Sequence, residues 1–521
     1  MTFRKLMLVT ISAAGLLLWV GAAAQTGAIA PGGAAQAVDK LLDEEKWAEA
    51  LKAADAGLSK APGDLDLTVN KIRALMGLGR HLEAARLAMP MAGKHPDRPE
   101  FRYYAGECAF QMGMIPQAVQ TWAPLLSVPE WSAAACRRSV LALSAVGKDD
   151  QAKALLKETL AKTEKPTVGL LQLALNMADS GPEGVKLADR LMAADPGSKD
   201  DYAALKGLYA AAGNGPIAGE KGAPAYPVTI PLKEKSEWRD LSSLSWGGGD
   251  VGTAGVQTTS RVVIPIAING SKEKSVLLDS GSDTFLISPT WVKELNLEPL
   301  ATAEYLGMGY RGTQKSNWVL LKEVTVGSMV FQNVPAMVIG KDAEFFKEVG
   351  GIVPLGLFKH HALTYDRRHS KLVVTASGTS PSAALGDGAF TVKNLWLYDR
   401  PFVETAIQGK TGLFCMVDTG AFATFLASEK ADELGISINS ARFGSQTGSG
   451  LSGSFLSGIA PDVKMVLGKT LLNMQTVHMT PLGGGYGLSC YGILGRRDVL
   501  DLFSIFFDYK ANVVAFNPYD K

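Results

Sequence analysis

The sequence is poor in net charge and in the patterns that bind metals. Its 52 basic side chains are balanced by 51 acidic ones, so the formal net charge is only +1. This balance gives no electrostatic reason to expect nucleic acid as a partner. The six histidines fall in no metal-ligand spacing, and no G-x-S-x-G segment is present. We therefore predict neither a metal site nor a serine nucleophile, and we expect no cofactor.

Long apolar runs are also scarce, and the one candidate for a targeting segment lies at the N-terminus. Arg4 and Lys5 precede an apolar run over residues 6–20, and three alanines follow at 22–24. A basic start, a short apolar run and small residues at a cleavage site are typical of a secretory signal peptide. We predict a signal peptide at residues 1–24 and an exported, periplasmic or secreted protein with no membrane span after cleavage. A retained anchor is the alternative.

Residues 35–213 are rich in Ala and Leu, have helical periodicity and repeat with a period of 34 residues. Small residues recur at this spacing in two series: Ala50, Ala84, Ala118 and Ala152, and Gly79, Gly113 and Gly147. The pattern resembles tetratricopeptide repeats, in which Gly makes the turn between two helices and Ala lets them pack closely. We predict four clear units and a degenerate fifth, with a concave face for substrate or a protein partner. The alternative is an array that only spaces or stabilises the C-terminal part.

The rest of the chain is predicted to be β-structure in two lobes. Residues 214–258 are dense in Gly, Pro and Ser, which indicates a linker. Short strand patterns follow the linker in both halves. We expect lobe 1 at residues 259–376, a connection at 377–398 and lobe 2 at 399–521.

Two short stretches in this β-region resemble each other. Residues 276–282, VLLDSGS, and residues 415–421, CMVDTGA, are each an apolar run followed by Asp, a hydroxyl residue, Gly and a small residue. The two aspartates, Asp279 and Asp418, lie 139 positions apart. A strand that ends in such a turn puts a carboxylate at the tip of a tight loop, and Gly permits the close approach of a second loop.

This pair resembles the aspartate loops of the aspartic peptidases, both pepsin-like and retropepsin-like. The resemblance implies that Asp279 and Asp418 form a catalytic dyad, so close together that both cannot ionise. It also implies a set of residues that brace the two loops: Ser280, Gly281 and Ser282 in lobe 1, and Thr419, Gly420 and Ala421 in lobe 2. The spacing suits two retropepsin-sized units fused in one chain, so we expect a monomeric catalytic unit.

The two lobes are also expected to end alike. In the family, a segment of two apolar residues and a Gly crosses behind the aspartate loop. Residues 493–495, ILG, match this segment well. Residues 353–356, VPLG, match it less well because Pro354 interrupts them.

Each lobe should further carry a flap that closes over the substrate. The candidate flaps are residues 305–312 in lobe 1 and 444–453 in lobe 2, both rich in Gly. The candidate flap residues are Tyr305, Tyr310, Gly448 and Gly450. Ordinary exposed turns are the alternative.

Export would permit disulfides between the four cysteines. The division into domains favours Cys108 with Cys136 and Cys415 with Cys490. In the family fold, the strands that carry Cys415 and Cys490 run side by side behind the active site, which supports the second pair. Four buried free thiols are the alternative, and the sequence does not choose between them.

Together the patterns predict a multidomain protein, with an all-α tetratricopeptide-repeat superhelix followed by an all-β, two-lobed fold like that of the aspartic peptidases. The resemblance implies an exported endopeptidase that cleaves peptide bonds with a water activated between Asp279 and Asp418, without a metal. The repeats would bind the substrate or a protein partner. The alternative is a non-catalytic peptide-binding or scaffold protein that keeps the same fold.

Overall fold

The computed structural model describes residues 33–240, 256–305, 314–339, 349–438, 446–450, 453–482 and 487–519. The predicted signal peptide, the tip of each predicted flap and Tyr310 lie outside the described residues. Across the described ranges, none of the helices has the length and apolar character needed to cross a bilayer.

The described residues from 33 to 212 form eleven α-helices. In chain order they are α1 (Gly33–Asp43), α2 (Trp47–Lys60), α3 (Leu65–Gly77), α4 (His81–Lys94), α5 (Pro99–Gln111), α6 (Ile115–Trp122), α7 (Pro129–Ser144), α8 (Asp149–Lys162), α9 (Val168–Asn176), α10 (Gly181–Ala194) and α11 (Lys199–Ala212). Successive helices pack against one another along this whole segment.

The small residues of the 34-residue period have the roles that the sequence predicts. Gly79, Gly113 and Gly147 each lie just before the second helix of a pair and have φ values of +73°, +67° and +71°. This left-handed conformation strains any residue with a Cβ, so Gly is required. The four alanines of the period have no exposed surface, because the neighbouring helix packs directly on them: Ala50, Ala84, Ala118 and Ala152. These observations confirm the predicted repeat fold.

The C-terminal part is built from β-strands with three short helices. The strands are β1 (Gly219–Glu220), β2 (Val228–Pro231), β3 (Lys233–Asp240), β4 (Val256–Ile268), β5 (Lys274–Asp279), β6 (Phe285–Ile287), β7 (Ala301–Tyr305), β8 (Gln314–Val326), β9 (Met329–Val338), β10 (Gly351–Pro354), β11 (His361–Asp366), β12 (Lys371–Ala376), β13 (Phe390–Val392), β14 (Asn394–Leu397), β15 (Arg400–Ile407), β16 (Lys410–Val417), β17 (Phe425–Ala427), β18 (Gln446–Gly450), β19 (Gly453–Leu467), β20 (Thr470–Thr480), β21 (Gly492–Leu494), β22 (Phe503–Asp508) and β23 (Val513–Pro518). The helices are α12 (Pro289–Glu294), α13 (Pro381–Leu385) and α14 (Ala431–Leu434).

Each lobe has its own sheet, and the two sheets follow one plan. The lobe 1 sheet has the order β1-β9-β6-β10-β5-β4-β8-β7, with β3 paired to β4. The lobe 2 sheet has the order β14-β15-β16-β21-β17-β20-β19-β18. In both, the strand that leads to the candidate aspartate lies at the centre and is buried on both faces.

A third sheet joins the lobes. Its order is β13-β23-β22-β11-β12-β2, so the terminal hairpin of lobe 1 pairs with the terminal hairpin of lobe 2. At the junction of β11 and β22, Leu363 pairs with Phe507 and Tyr365 pairs with Ile505. All four side chains are buried. The two lobes therefore share one continuous apolar core, which confirms the predicted two-lobed fold.

Residues 214–240 of the predicted linker are more ordered than their composition suggests. β1 extends the lobe 1 sheet, β2 is an edge of the sheet that joins the lobes, and β3 pairs with β4. In β2, Val228 and Ile230 are buried, while Thr229 and Pro231, which alternate with them, are exposed. This alternation is the signature of a half-buried strand, and it outweighs the local density of Gly and Pro.

All four cysteines are free thiols, so the expected Cys415–Cys490 and Cys108–Cys136 pairs are not formed. Cys415 points into the interior of lobe 2, where its Sγ lies 3.4 Å from the Thr405 hydroxyl. Cys490 lies just before β21, where its Sγ donates to the Gly492 carbonyl at 3.2 Å and is buried in the core shared with the helices. The two thiols therefore lie in different apolar cores and are not positioned to form a disulfide.

The repeat array is packed against lobe 2. The turns that contain Gly79, Gly113 and Gly147 face Lys430, Phe414 and Tyr509 so closely that a Cβ at any of these glycines would collide with lobe 2. The Tyr509 hydroxyl donates to the Ser144 carbonyl at 3.1 Å, and the Trp396 amide donates to the Ala145 carbonyl at 2.8 Å. At the other end of the array, Ala204 and Leu208 of α11 pack against lobe 1. The helices therefore contact both lobes.

Candidate active site

Each candidate aspartate lies at the end of a buried central strand. β5 ends in Asp279, and β16 ends one residue before Asp418. A second strand runs parallel to each, and the residue before the aspartate pairs with Val353 in lobe 1 and with Leu494 in lobe 2. The two aspartate loops are therefore held in equivalent positions by equivalent strands.

Two hydroxyl groups fasten the loops to each other. The Ser280 hydroxyl accepts from the Thr419 amide at 2.9 Å and donates to the Val417 carbonyl at 2.7 Å. The Thr419 hydroxyl accepts from the Ser280 amide at 3.0 Å and donates to the Leu278 carbonyl at 2.8 Å. Neither Ser280 nor Thr419 has exposed surface. The four bonds form a two-fold symmetric, solvent-free contact between the lobes.

The two glycines allow this approach. A Cβ built on Gly281 would lie 2.6 Å from Oδ2 of Asp418, and a Cβ on Gly420 would lie 2.6 Å from Oδ2 of Asp279. Such distances are far below van der Waals contact, so only Gly fits at either position. The carboxyl group of each lobe thus lies directly over the glycine of the other.

Backbone amides orient both carboxyl groups. The Gly281 amide donates to Oδ1 of Asp279 at 2.8 Å. The amides of Gly420 and Ala421 donate to Oδ1 of Asp418 at 2.8 Å and 3.0 Å. The second oxygen of each carboxyl is left to face the other lobe. The two carboxyl groups lie close enough for each to shift the pKa of the other.

The surroundings treat the two carboxyl groups differently. Burial raises the pKa of Asp279 well above its usual range, and the negative charge of Asp418 raises it further. Burial also raises the pKa of Asp418, while hydrogen bonds from Asp279 and from the Ala421 and Gly420 amides act in the opposite direction. Two carboxyls this close titrate as a pair.

A buried arginine adds to this asymmetry. Arg400 lies opposite Asp418 at the start of β15, and its positive charge lowers the pKa of Asp418. Its guanidinium also lies 3.7 Å from the carboxylate of Asp283, in the aspartate loop of the other lobe. In lobe 2 the residue equivalent to Asp283 is Phe422, so this ion pair has no symmetric counterpart.

Neither residue of this pair is predicted by the sequence analysis, although a signal is present. Arg261 occupies the position in lobe 1 that Arg400 occupies in lobe 2, two residues before the partner of Leu277 or Met416. Both arginines are buried. An Arg at the same position in both halves of an internal repeat was therefore visible in the sequence.

The strand registers correct the alignment proposed for residues 353–356. Val353 corresponds to Leu494, so Pro354 takes the place of Gly495, and Gly356 does not. The registers also make Leu286, which pairs with Ile352, the equivalent of Phe425, which pairs with Ile493, so Phe285 is the equivalent of Thr424.

The shifted alignment explains why Pro354 is tolerated. In lobe 2 the Gly495 amide donates to the Thr424 hydroxyl at 3.1 Å. In lobe 1 Phe285 replaces Thr424 and Pro354 replaces Gly495, so donor and acceptor are lost together. Replacing both partners of a hydrogen bond by apolar groups costs little, whereas replacing one leaves a buried polar group unpaired.

Both flap candidates begin as β-hairpins. Tyr305 pairs with Gln314 where β7 meets β8, and Gly450 pairs with Gly453 where β18 meets β19. Gly448 lies on β18 opposite Phe455. The hairpin positions agree with the prediction, while Tyr310 lies outside the described residues and the role of the flaps stays a prediction.

The structure brings six of the eight predicted dyad and loop residues into direct contact between the lobes: Asp279, Ser280, Gly281, Asp418, Thr419 and Gly420. Ala421 supports its own aspartate through its amide. The Ser282 hydroxyl donates to the Thr284 carbonyl at 2.8 Å and stays within its own loop. Among the described residues, no cluster of His, Cys, Asp and Glu side chains is suited to hold a metal ion.

Comparison with known proteins agrees with this geometry. The model of a family described as aspartyl protease matches residues 264–357, from β4 to just beyond β10. This match confirms the predicted resemblance to aspartic peptidases over that segment. No curated protein matches the chain.

Three solved structures are similar to parts of the chain. An aspartic proteinase from Irpex lacteus is 13% identical, covers 50% of this chain and 94% of its own, and gives a TM-score of 0.33. A tetratricopeptide-repeat protein from Thermus thermophilus is 19% identical, covers 34% of this chain and 96% of its own, and gives a TM-score of 0.27. A retropepsin-like aspartic protease from Rickettsia conorii is 15% identical, covers 29% of this chain and 96% of its own, and gives a TM-score of 0.18.

Proposed function

We propose that the chain is an aspartic-type endopeptidase whose two lobes form one catalytic unit in a single polypeptide. The observation that carries the proposal is the position of Asp279 and Asp418 at the symmetric interface of the lobes, where each carboxyl lies over the glycine of the other lobe. The charge of Asp418 there raises the pKa of Asp279. Two carboxyls in contact share one proton at moderate pH, which supplies a general base and a general acid in one place.

The asymmetry of the site supports one division of the two roles. Asp279 keeps the shared proton, because burial and the charge of Asp418 oppose its ionisation. Asp418 is the ionised partner, because backbone amides and Arg400 favour its negative form. Asp418 is therefore the base that takes a proton from water, and Asp279 is the acid that protonates the substrate carbonyl.

The reaction then needs no covalent intermediate. Asp418 accepts a proton from the water while the water oxygen attacks the carbonyl carbon of the scissile peptide, and Asp279 gives its proton to the carbonyl oxygen. Asp418 next passes its proton to the peptide nitrogen and the carbon–nitrogen bond breaks. One hydroxyl of the diol returns a proton to Asp279, which releases a carboxylic acid and an amine and restores the starting state.

Substrate would bind as an extended strand. The hairpins β7–β8 and β18–β19 present backbone donors and acceptors to such a strand, as in other cases of strand addition. We expect peptide or protein substrates, a monomeric catalytic unit and export to the periplasm or beyond.

The test is cleavage of a peptide library at several pH values by the full chain and its variants. Asp279→Asn and Asp418→Asn should each abolish turnover, and the double variant should be no worse than either single one, because the two residues act as one unit. The pH–rate profile should be bell-shaped, since only the singly protonated pair is active.

Asp432→Asn is the matched control, because Asp432 is an exposed carboxylate of the same lobe. It should keep full activity. A well-folded wild type that cleaves no peptide but binds them would favour the scaffold alternative. A well-folded Asp279→Asn variant that keeps most of its activity would place the chemistry elsewhere.

A further inference from the structure

The repeat array holds a segment of lobe 2 as it would hold a peptide ligand. The segment is residues 487–490, which precede β21. Gln111, at the end of α5, donates from Nε2 to the Gly487 carbonyl at 3.0 Å and accepts from the Ser489 amide on Oε1 at 2.8 Å. One side-chain amide thus pairs with a backbone acceptor and a backbone donor two residues apart, as a neighbouring β-strand would.

A buried ion pair contacts the same segment. Arg138 of α7 donates to the Gly487 carbonyl at 3.4 Å and is paired to both carboxylate oxygens of Glu107 on α5. Arg138 and Glu107 are both more than nine-tenths buried, and the guanidinium lies 4.5 Å from the centre of the Phe110 ring. A buried charge is tolerated where its hydrogen bonds are satisfied, and the segment supplies one of the acceptors.

The remaining contacts of the segment are neutral and apolar. The Ser489 hydroxyl hydrogen-bonds Nε2 of His81 at 2.5 Å, and burial lowers the pKa of His81 to about 3. His81 therefore stays neutral at physiological pH. Leu488 and Cys490 are buried in a core that also contains Phe110 of the repeats. The face formed by α5 and α7 is thus occupied by the chain itself.

The segment leads directly to the loop of Asp418. The Tyr491 amide donates to the Phe414 carbonyl at 2.9 Å, and β21 then runs parallel to β16. The Asp418 amide donates to the Leu494 carbonyl at 3.1 Å. Any shift of residues 487–490 would move β21, and the hydrogen bonds between β21 and β16 would pass that movement on to the loop of Asp418.

In lobe 1, the start of β10 is fixed from within its own lobe. Gly350, which precedes β10, donates to the Ser275 carbonyl at 2.8 Å and accepts from the Ser288 amide at 2.8 Å. Within the described ranges, the hydrogen bonds of residues 349–354 go to lobe 1 alone. Gln111 and Arg138 thus form side-chain hydrogen bonds with the segment that leads to β21 of lobe 2, whereas α11 packs on lobe 1 through apolar contacts.

We propose that the α5–α7 face of the repeats takes residues 487–490 as its ligand, and that Gln111 and Arg138 are positioning residues for the loop of Asp418. The catalytic consequence rests on the proposed peptidase function. The docking of residues 487–490 on the repeats does not rest on that function, because hydrogen exchange measures it without any activity. The face that the repeat pattern offers to an outside partner is used within the chain.

The test compares Gln111→Met with the matched control Gln117→Met in the full chain. Gln117 is an exposed residue of α6 in the same repeat. Hydrogen exchange read by mass spectrometry or NMR should show the Ser489 amide exchanging about tenfold faster in Gln111→Met, because two hydrogen bonds are lost. The Asp418 amide should also exchange faster, and Gln117→Met should match wild type. Leu488→Ala, which removes the apolar contact, should act in the same direction.

Turnover is measured per competent site, by titration with a peptide analogue whose hydroxyl mimics the tetrahedral intermediate. We expect kcat to fall about three- to tenfold in Gln111→Met with KM unchanged, since a small misplacement of a catalytic group slows chemistry more than binding. Unchanged exchange at Ser489 would overturn the docking. Faster exchange at Ser489 with wild-type exchange at Asp418 and wild-type kcat would overturn the positioning role. A wild type without turnover would refute the proposed function, while the exchange results would still decide the docking.

Discussion

Removing the hydroxyl of Ser280 should loosen the contact between the lobes at the candidate dyad. This hydroxyl makes two bonds across the interface, from the Thr419 amide at 2.9 Å and to the Val417 carbonyl at 2.7 Å. Ser280 and Thr419 have no exposed surface, so water does not reach the groups that Ser280→Ala leaves unpaired. The variant therefore loses the bonds without compensation.

The size of the effect follows from the number of groups involved. A buried hydrogen bond contributes about 0.5–1.5 kcal/mol net, and a buried polar group left unpaired costs about 1–3 kcal/mol. Ser280→Ala loses two bonds and leaves one amide and one carbonyl unpaired, so we expect local destabilisation of about 2–4 kcal/mol. Since 1.4 kcal/mol is a factor of ten, the Thr419 amide should exchange about 30- to 1,000-fold faster.

Amide hydrogen exchange of residues 276–282 and 415–421 is the assay, because it reports local opening without assuming that a chain of several domains unfolds in one step. Ser282→Ala is the control. Its hydroxyl bonds only the Thr284 carbonyl in the same loop, so it should leave the Thr419 amide protected. A Ser280→Ala variant whose Thr419 amide exchanges as slowly as in wild type would refute the cross-lobe contact.

Three further outcomes are expected. Gly420→Ala should lower kcat by about a hundredfold or more, because its Cβ would displace the carboxyl of Asp279; circular dichroism checks the fold, and near-normal turnover would contradict the close approach. Arg400→Gln should move the acid limb of the pH–rate profile to higher pH. The positive charge of Arg400 lowers the pKa of Asp418 in the wild type, so its removal should raise that pKa. An unmoved acid limb would show that this charge does not affect the dyad. Asp279→Asn should make stability less dependent on pH, measured as Tm by calorimetry. The raised pKa of Asp279 means that the folded chain keeps a proton which the unfolded chain loses above the ordinary value of 3.8, so wild-type stability falls as pH rises through the folded pKa. Parallel Tm curves for wild type and Asp279→Asn would contradict this.

Local patterns in the sequence determined much of the fold. The glycines of the 34-residue period predicted tight turns, because φ near +70° is strained for any other residue, and those turns are where the pattern placed them. The two Asp-hydroxyl-Gly stretches predicted two loops that meet, because the need for Gly at a close approach is also a local property. Such features can be predicted from the sequence because the residue type at a position is itself dictated by the backbone conformation or close approach at that position.

Only the tertiary structure decided which faces and partners the elements share. Cys415 lies in β16 and Cys490 just before the neighbouring strand β21, yet the two thiols are buried in different apolar cores, and no disulfide forms. The presence of Pro354 where lobe 2 has Gly495 made sense only when the strand registers showed that Phe285 takes the place of Thr424 in the same lobe.

The same holds for contacts between distant parts of the chain. Arg400 meets Asp283 across the lobes, and Gln111 meets residues 487 and 489 more than 370 positions away. The sequence predicted that the repeats have a face that binds a substrate or partner. In the structure, residues 487–490 of lobe 2 cover the α5–α7 part of the repeats. Only long-range packing decides such contacts, because the burial of a side chain depends on which distant residues pack against it. The periodicity of the local sequence does not indicate which residues those are.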